Sequence, residues 1–442
     1  MKIDLLRWNK IRMRRVLGPG RLILATVVIG VLTGFGATGF HFLADRFGEF
    51  LFSWAESRTA VSRLPFVLVI PTIGLGLVGL VLQYYPPARL GGVREVFEAI
   101  EHHAGVIPLL RIWNVILSAL VLAFGGSVGP EGPMVQMGAL VGSLVGQGSG
   151  LAGFQLQTVV RAGAAAGIAA AFRSPAGGVL LALEVFGAKF NLDLTAISAA
   201  AGIAYLTRTA LLGDAHPFAL PVPAQAVPLP GLLLIAPLMG LAAAPTGHLF
   251  IRMLARAKTA PPLRWPLSAR VALGGLLVGA IGIYYPQVLS AGYPVIVKSL
   301  HGGLEVKLFV ILLILKMVAT SITFGSGAVG GLFAPTLVMG ALYGGAFGFG
   351  FHALFPRAVP QPELFVLLGM IVMFGSIVKG YWSGLLMVAD MSGAYHALLL
   401  PGIIAGGISF LLSWELHDES VFGLPLEHPK EAKEAAALAG AR

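Results

Sequence analysis

Gly125-Gly126-Ser127-Val128-Gly129-Pro130-Glu131-Gly132-Pro133 is the stretch on which the reading of this chain turns. One carboxylate, Glu131, stands between two apolar runs, Ile116–Phe124 and Met134–Val145, the second broken only by Gln136 and Ser143 among hydrophobic and small residues. An ionisable group in such surroundings is costly to keep and by default marks a functional site. The stretch is rich in glycine and proline and opens into an apolar helix, so it reads as a loop that leads to a helix start.

The rest of the chain says what kind of surroundings these are. Of 442 residues, 57% are hydrophobic and only 11% charged, and the mean hydropathy is +0.85. A soluble domain carries roughly 25% charged residues. The composition is that of an all-α polytopic membrane protein, whose helical crossings each need roughly 20 apolar residues. Leu22–Leu43, Phe66–Leu82, Leu232–Leu254, Val271–Tyr284, Leu308–Ile322 and Ala397–Leu412 are candidate spans. The 59 glycines allow close helix packing and broken helices. The net charge of +10 does not indicate nucleic acid, because the basic residues sit at the ends of apolar runs. Lys2, Arg7, Lys10, Arg12, Arg14, Arg15 and Arg21 precede the first span, which predicts a cytoplasmic N-terminus. That span is too long for the core of a signal peptide. With no cysteine, disulfides and thiolate metal sites are excluded. No metal site is assigned to His102 and His103 either, since adjacent helical residues point apart.

Five regions are expected: a cytoplasmic amphipathic helix over 1–20, a first membrane repeat over 21–212, a polar, proline-rich connector over 213–230, a second repeat over 231–428, and a cytoplasmic tail over 429–442. The duplication is read from two matches in the same order. Residues 129–142 align with residues 331–344, and Gly178–Glu184 aligns with Gly384–Asp390. Duplicated membrane halves are a transporter pattern, with discontinuous helices directing their N-termini at a midplane anion. Pro133 and Pro335 fall early in two such helices, where a missing N–H costs little. Free backbone N–H groups and the helix dipole then make an anion site. A lysine or arginine in the pore would hold the anion too tightly for release, whereas backbone dipoles bind weakly enough for passage.

Together these residues resemble the CLC family of chloride channels and chloride/proton antiporters. Gly129–Pro133 is similar to the family's G-[KR]-E-G-P motif and Gly331–Pro335 to its G-x-F-x-P motif, while Phe172–Glu184 resembles the segment that ends in an acidic residue. The resemblance spans roughly residues 20–428 and implies two halves of opposite topology with broken helices meeting at a midplane anion site. It further implies a homodimer with one pore per subunit, in the bacterial inner membrane, of the short form without a regulatory domain after Pro429. The ligand is chloride or another small anion, with no cofactor.

The resemblance also assigns residues. Glu131 is the gate. The anion site comprises Gly91, Gly92, Gly129, Gly132, Leu332, Phe333, Ala334 and Phe422. Gly91 stands where the family has a serine, and Phe422 where it has a tyrosine, so both side-chain hydroxyls are lost. Arg94 replaces a proline and Pro130 a basic residue. Val185 occupies the position of the antiporters' internal proton-transfer glutamate and cannot relay a proton; its neighbour Glu184 is read as structural. The expectation is a glutamate-gated anion pore, channel-like or weakly proton-coupled. The alternative is a proton-coupled exchanger of chloride or fluoride. A membrane-embedded enzyme would need a catalytic set within the spans, and the sequence holds none.

Overall fold

A computed structural model describes residues 19–56, 60–188, 192–213, 216–221, 226–260, 264–417 and 420–424. The expected helix over 1–20 lies outside these residues except for its last two positions, and the tail over 429–442 lies outside them entirely.

The described residues are helical almost throughout. In the first half α1 (Pro19–His41) runs through a π-helical turn, Phe42–Arg46, into α2 (Phe47–Glu56). It is followed by α3 (Ala60–Tyr84), α4 (Gly92–Glu101), α5 (Ile112–Ala123), α6 (Glu131–Gly148), α7 (Phe154–Phe172), α8 (Pro175–Glu184) and α9 (Leu192–Leu212). The second half holds α10 (Ala236–Thr259), α11 (Leu267–Tyr284), α12 (Tyr293–Leu300), α13 (Val306–Gly325), α14 (Phe333–Leu354), α15 (Glu363–Val378), α16 (Tyr381–Ser392) and α17 (Tyr395–Leu416). Eight helices among the described residues are long and apolar enough to cross a membrane. They include all six candidate spans and add Asp193–Leu212 and Phe333–Leu354. The chain is an integral, multi-pass membrane protein.

The halves repeat element by element, and three contacts show that they are inverted. Equivalent helices α3 and α11 pack directly on each other. A Cβ on Gly275 would meet the Pro71 carbonyl and one on Gly279 the Val67 carbonyl, while Gly79 faces Ser268. Rising numbers on one helix meet falling numbers on the other, so the pair is antiparallel. An antiparallel bridge joins Gly129 to Gly331. The equivalent helices α8 and α16 are antiparallel too, as their reciprocal caps show below. A two-fold axis in the membrane plane produces this arrangement; an axis along the membrane normal would make equivalent helices parallel.

Glycine sets how closely the helices cross. In α6/α7 a Cβ on Gly138 would fall 2.0 Å from the Gly163 carbonyl oxygen. In α14/α15 a Cβ on Gly344 would fall 1.9 Å from the Phe365 carbonyl oxygen. These backbone-to-backbone approaches need residues without side chains, the small-residue packing used where lipid removes the hydrophobic drive between helices.

Candidate functional site

Helices α6 and α14 begin inside the protein, which is what builds the site. In hydrocarbon a backbone N–H without a partner costs several kcal/mol, and the first N–H groups of a helix have none within it. The Gly129–Gly331 bridge disposes of two: Gly129 N–H donates to the Gly331 carbonyl at 2.8 Å, and Gly331 N–H donates to the Gly129 carbonyl at 2.9 Å. The two loops are thereby locked back to back, with both helix N-termini beside each other. Ser127 ties the first loop to α13 through Thr320 at 3.0 Å and Thr323 at 3.2 Å.

Glu131, the first residue of α6, is completely buried. Its Oε2 accepts the Ala334 N–H in the first turn of α14 at 3.1 Å, and its Oε1 has no hydrogen-bond partner among the described residues. The carboxylate of one half therefore sits on the positive end of a helix from the other half, where an anion would bind. Phe333 is also fully buried, in a cluster with Phe172, Phe374 and Phe422; its ring centroid lies 5.0 Å from that of Phe422. Beyond this cluster opens a cavity of about 50 Å³ whose lining includes Gly91, Gly92, Gly132, Leu332 and Phe422. Residues far apart in sequence thus meet at one place.

Two assigned residues do something other than expected. The Gly129 N–H is taken by Gly331 and is not free for an anion; Gly129 joins the repeats. The Gly92 N–H donates to Gln136 Oε1 at 2.7 Å, so this glycine lines the cavity with its backbone donor already engaged. Gly91 has a packing reason of its own. A Cβ there would fall 2.2 Å from the Asn114 side chain, whose amide donates to the Ala88 carbonyl at 2.9 Å. Two cations also stand near the site. Arg94 and Lys258 both line the inner cavity. Neither Glu131 nor Ala334 lines that cavity, so the two cations stand apart from the Glu131 seat.

Sequence reading also missed Lys316, which is fully buried on α13 and donates to the carbonyls of Val288 at 3.0 Å and Ser290 at 2.8 Å. It mirrors Asn114 on the equivalent helix α5, which reaches the corresponding loop of the first half. A signal for this pairing was present: Tyr84-Tyr85-Pro86 recurs as Tyr284-Tyr285-Pro286 just before each loop. Gln136 was noted only as a polar break. It joins α6 to α4 by donating to Glu95 at 3.0 Å, and Glu95 in turn pairs with Arg111 at 2.5 Å.

Val185 follows α8 and carries no proton-exchanging group. Glu184 caps α16: its two oxygens accept the Trp382 and Ser383 N–H groups, both at 2.8 Å. Asp390, its repeat equivalent on α16, accepts a hydrogen bond from Ser174, the N-cap of α8. Each short helix thus ends in an acid that satisfies the start of the other. Glu184→Ala is expected to uncap α16 and lower the unfolding free energy by about 2 kcal/mol, the cost of stranding such donors. Thermal unfolding in detergent checks this, with the external-pH response of flux retained.

Comparison with known proteins agrees with the fold. Residues 73–413 match the family model described as voltage gated chloride channel. A ClcB-like chloride channel protein of Ralstonia nicotianae, itself named by likeness, is 35% identical over 75% of this chain and 79% of its own length. The H(+)/Cl(−) exchange transporter ClcA of Vibrio vulnificus is 30% identical over 87% of this chain and 85% of its own. Among solved structures, a slow cyanobacterial Cl−/H+ antiporter superposes with a TM-score of 0.83 at 21% identity, covering 94% of this chain and 98% of that one. A CLC-type fluoride/proton antiporter superposes at 0.76 with 26% identity, covering 92% and 97%. With paired broken helices, a buried glutamate between them and a family match over most of its length, the chain belongs to the CLC family of anion channels and transporters.

Proposed function

We propose that this protein passes chloride or another small anion through a pore closed by Glu131, with weak or no proton coupling. One observation carries the reading: the Glu131 carboxylate accepts the Ala334 N–H, and so occupies the seat that the second half would offer an anion. Ionised, Glu131 competes with the anion for that donor. Protonated, it loses the charge that holds it there and can swing aside. Leu332, Phe333 and Ala334 would form the inner wall of this seat, with Gly91, Gly132 and Phe422 lining the way to it. Weak coupling is supported by Val185 and by the engagement of both Glu184 oxygens with α16.

Proton-coupled exchange is the second reading. It is favoured by the names of the Vibrio relatives and of both structural neighbours, which are exchangers of protons for chloride or fluoride. A carboxylate that must be protonated to move can carry its proton across. Purified protein in liposomes under a chloride gradient, with internal pH followed, separates the two. Chloride flux with little or no uphill proton movement is expected. Protons driven against their own gradient would overturn the uncoupled reading, and a preference for fluoride would move the substrate assignment.

The same reading implies a homodimer with a pore in each subunit, in the bacterial inner membrane, with the N-terminus in the cytoplasm. Charge supports the orientation at a second place. The end of α10 and the turn after it carry Arg252, Arg256, Lys258 and Arg264, whereas residues 213–230 hold no lysine or arginine.

A further inference from the structure

Lys258 is the charged group that the gate does not account for. It sits near the end of α10, is 8% exposed, and lines the same cavity as Phe422 and Leu332. Its ammonium lies 5.2 Å from the centre of the Phe324 ring. No carboxylate or carbonyl among the described residues pairs with it. The other cation of the cavity, Arg94, is already engaged, with Glu98 at 3.1 Å and the Leu424 carbonyl at 3.2 Å, and its charge acts on Lys258 as a second positive neighbour. Arg94 therefore has its counter-charge in Glu98, and the Lys258 ammonium has none among the described residues.

A buried ammonium has three N–H donors to satisfy, and without a partner it is expensive. The ring face of Phe324 offsets part of that cost while leaving donors free toward the cavity. The cavity is also where the family's two hydroxyl positions have become Gly91 and Phe422, so no side-chain hydroxyl there can hold an anion. We infer that Lys258 is the anion ligand of the inner cavity: it binds a small inorganic anion entering from the basic side and hands it to the Glu131 seat. This inference rests on the pore reading above and adds a binding residue to it. Separation from the Glu131 seat explains how a lysine serves a conducting path: a single ammonium that also faces a ring would bind the anion loosely enough for release.

The test uses chloride as the probe. Wild-type, Lys258→Met and Lys258→Arg proteins are reconstituted in liposomes, and flux is measured against chloride concentration; binding to the purified proteins is measured by calorimetry. Lys258→Met is expected to raise the half-saturating chloride concentration about tenfold, the scale of one charge-assisted hydrogen bond. Lys258→Arg is expected to restore it, and the response to external pH persists in both. Unchanged binding and half-saturation in Lys258→Met, with wild type conducting normally, would overturn this inference alone. A wild type that passes no anion would remove the pore reading and this inference with it. If Lys258→Met does not fold, a bromide-soaked structure of the wild type decides. Bromide within about 4 Å of the Lys258 Nζ, the reach of an ion pair, is expected, and an empty cavity would overturn the assignment.

Discussion

Glu131→Gln is expected to leave anion flux almost independent of external pH, at or above the highest rate of the wild type. The sign follows from the seat. In the wild type the Glu131 carboxyl accepts the Ala334 N–H at 3.1 Å with no solvent exposure, and ionised it is held there by the positive helix end. Lowering the pH protonates it, removes its attraction to the positive helix end and opens the path, so wild-type flux rises as pH falls. Glutamine has nearly the same shape but no charge at any pH. A charge-assisted hydrogen bond is worth about 1.5–3 kcal/mol, so its loss shifts the closed-to-open balance by roughly tenfold to a hundredfold. Flux into liposomes across a series of external pH values reads this directly. A glutamine variant that keeps the wild-type pH profile would mean that Glu131 only caps a helix.

Gly138→Val has the second largest expected effect, on the fold itself. A Cβ at position 138 would lie 2.0 Å from the Gly163 carbonyl oxygen, and one at Gly163 would lie 2.0 Å from the Gly138 carbonyl oxygen. Both obstacles are backbone, so no rotamer change relieves them. The α6 and α7 axes would have to part, moving the helix whose first residue is Glu131. Overpacking costs typically about 1–3 kcal/mol where side chains can yield, and a backbone clash exceeds that range. Loss of the monodisperse peak on size-exclusion chromatography in detergent is expected. A folded Gly138→Val protein with wild-type thermal stability would contradict the close crossing.

The motifs made much of this legible, for a physical reason. A helix that begins in the middle of a membrane needs glycine for loop geometry, proline in its first turn and a partner for its N–H groups, and those needs leave a dense local pattern. Gly129–Pro133 and Gly331–Pro335 carry that pattern, and their pairing emerges as the Gly129–Gly331 bridge. Asp193–Leu212 is not among the candidate spans, and Phe333–Leu354 reads only as a helix start at Pro335, because their hydropathy is modest, 1.2 and 1.4. Both are diluted by alanine and glycine that pack against other helices. Which N–H groups remain free was not legible, because Gly129 and Gly92 lose theirs to partners that only the fold supplies. Lys258 was invisible for the same reason. Nothing near it in sequence marks a pore, and its neighbours Gly91 and Phe422 come from opposite ends of the chain.

Bromide in the crystal tests the central claim most directly, by comparing wild type at alkaline pH with Glu131→Gln. No anion is expected at the Ala334 N–H in the wild type, where the carboxylate holds the seat, and bromide is expected in its place in the variant. Bromide bound at Ala334 beside an undisplaced Glu131, or a seat left empty in Glu131→Gln, would contradict the claim.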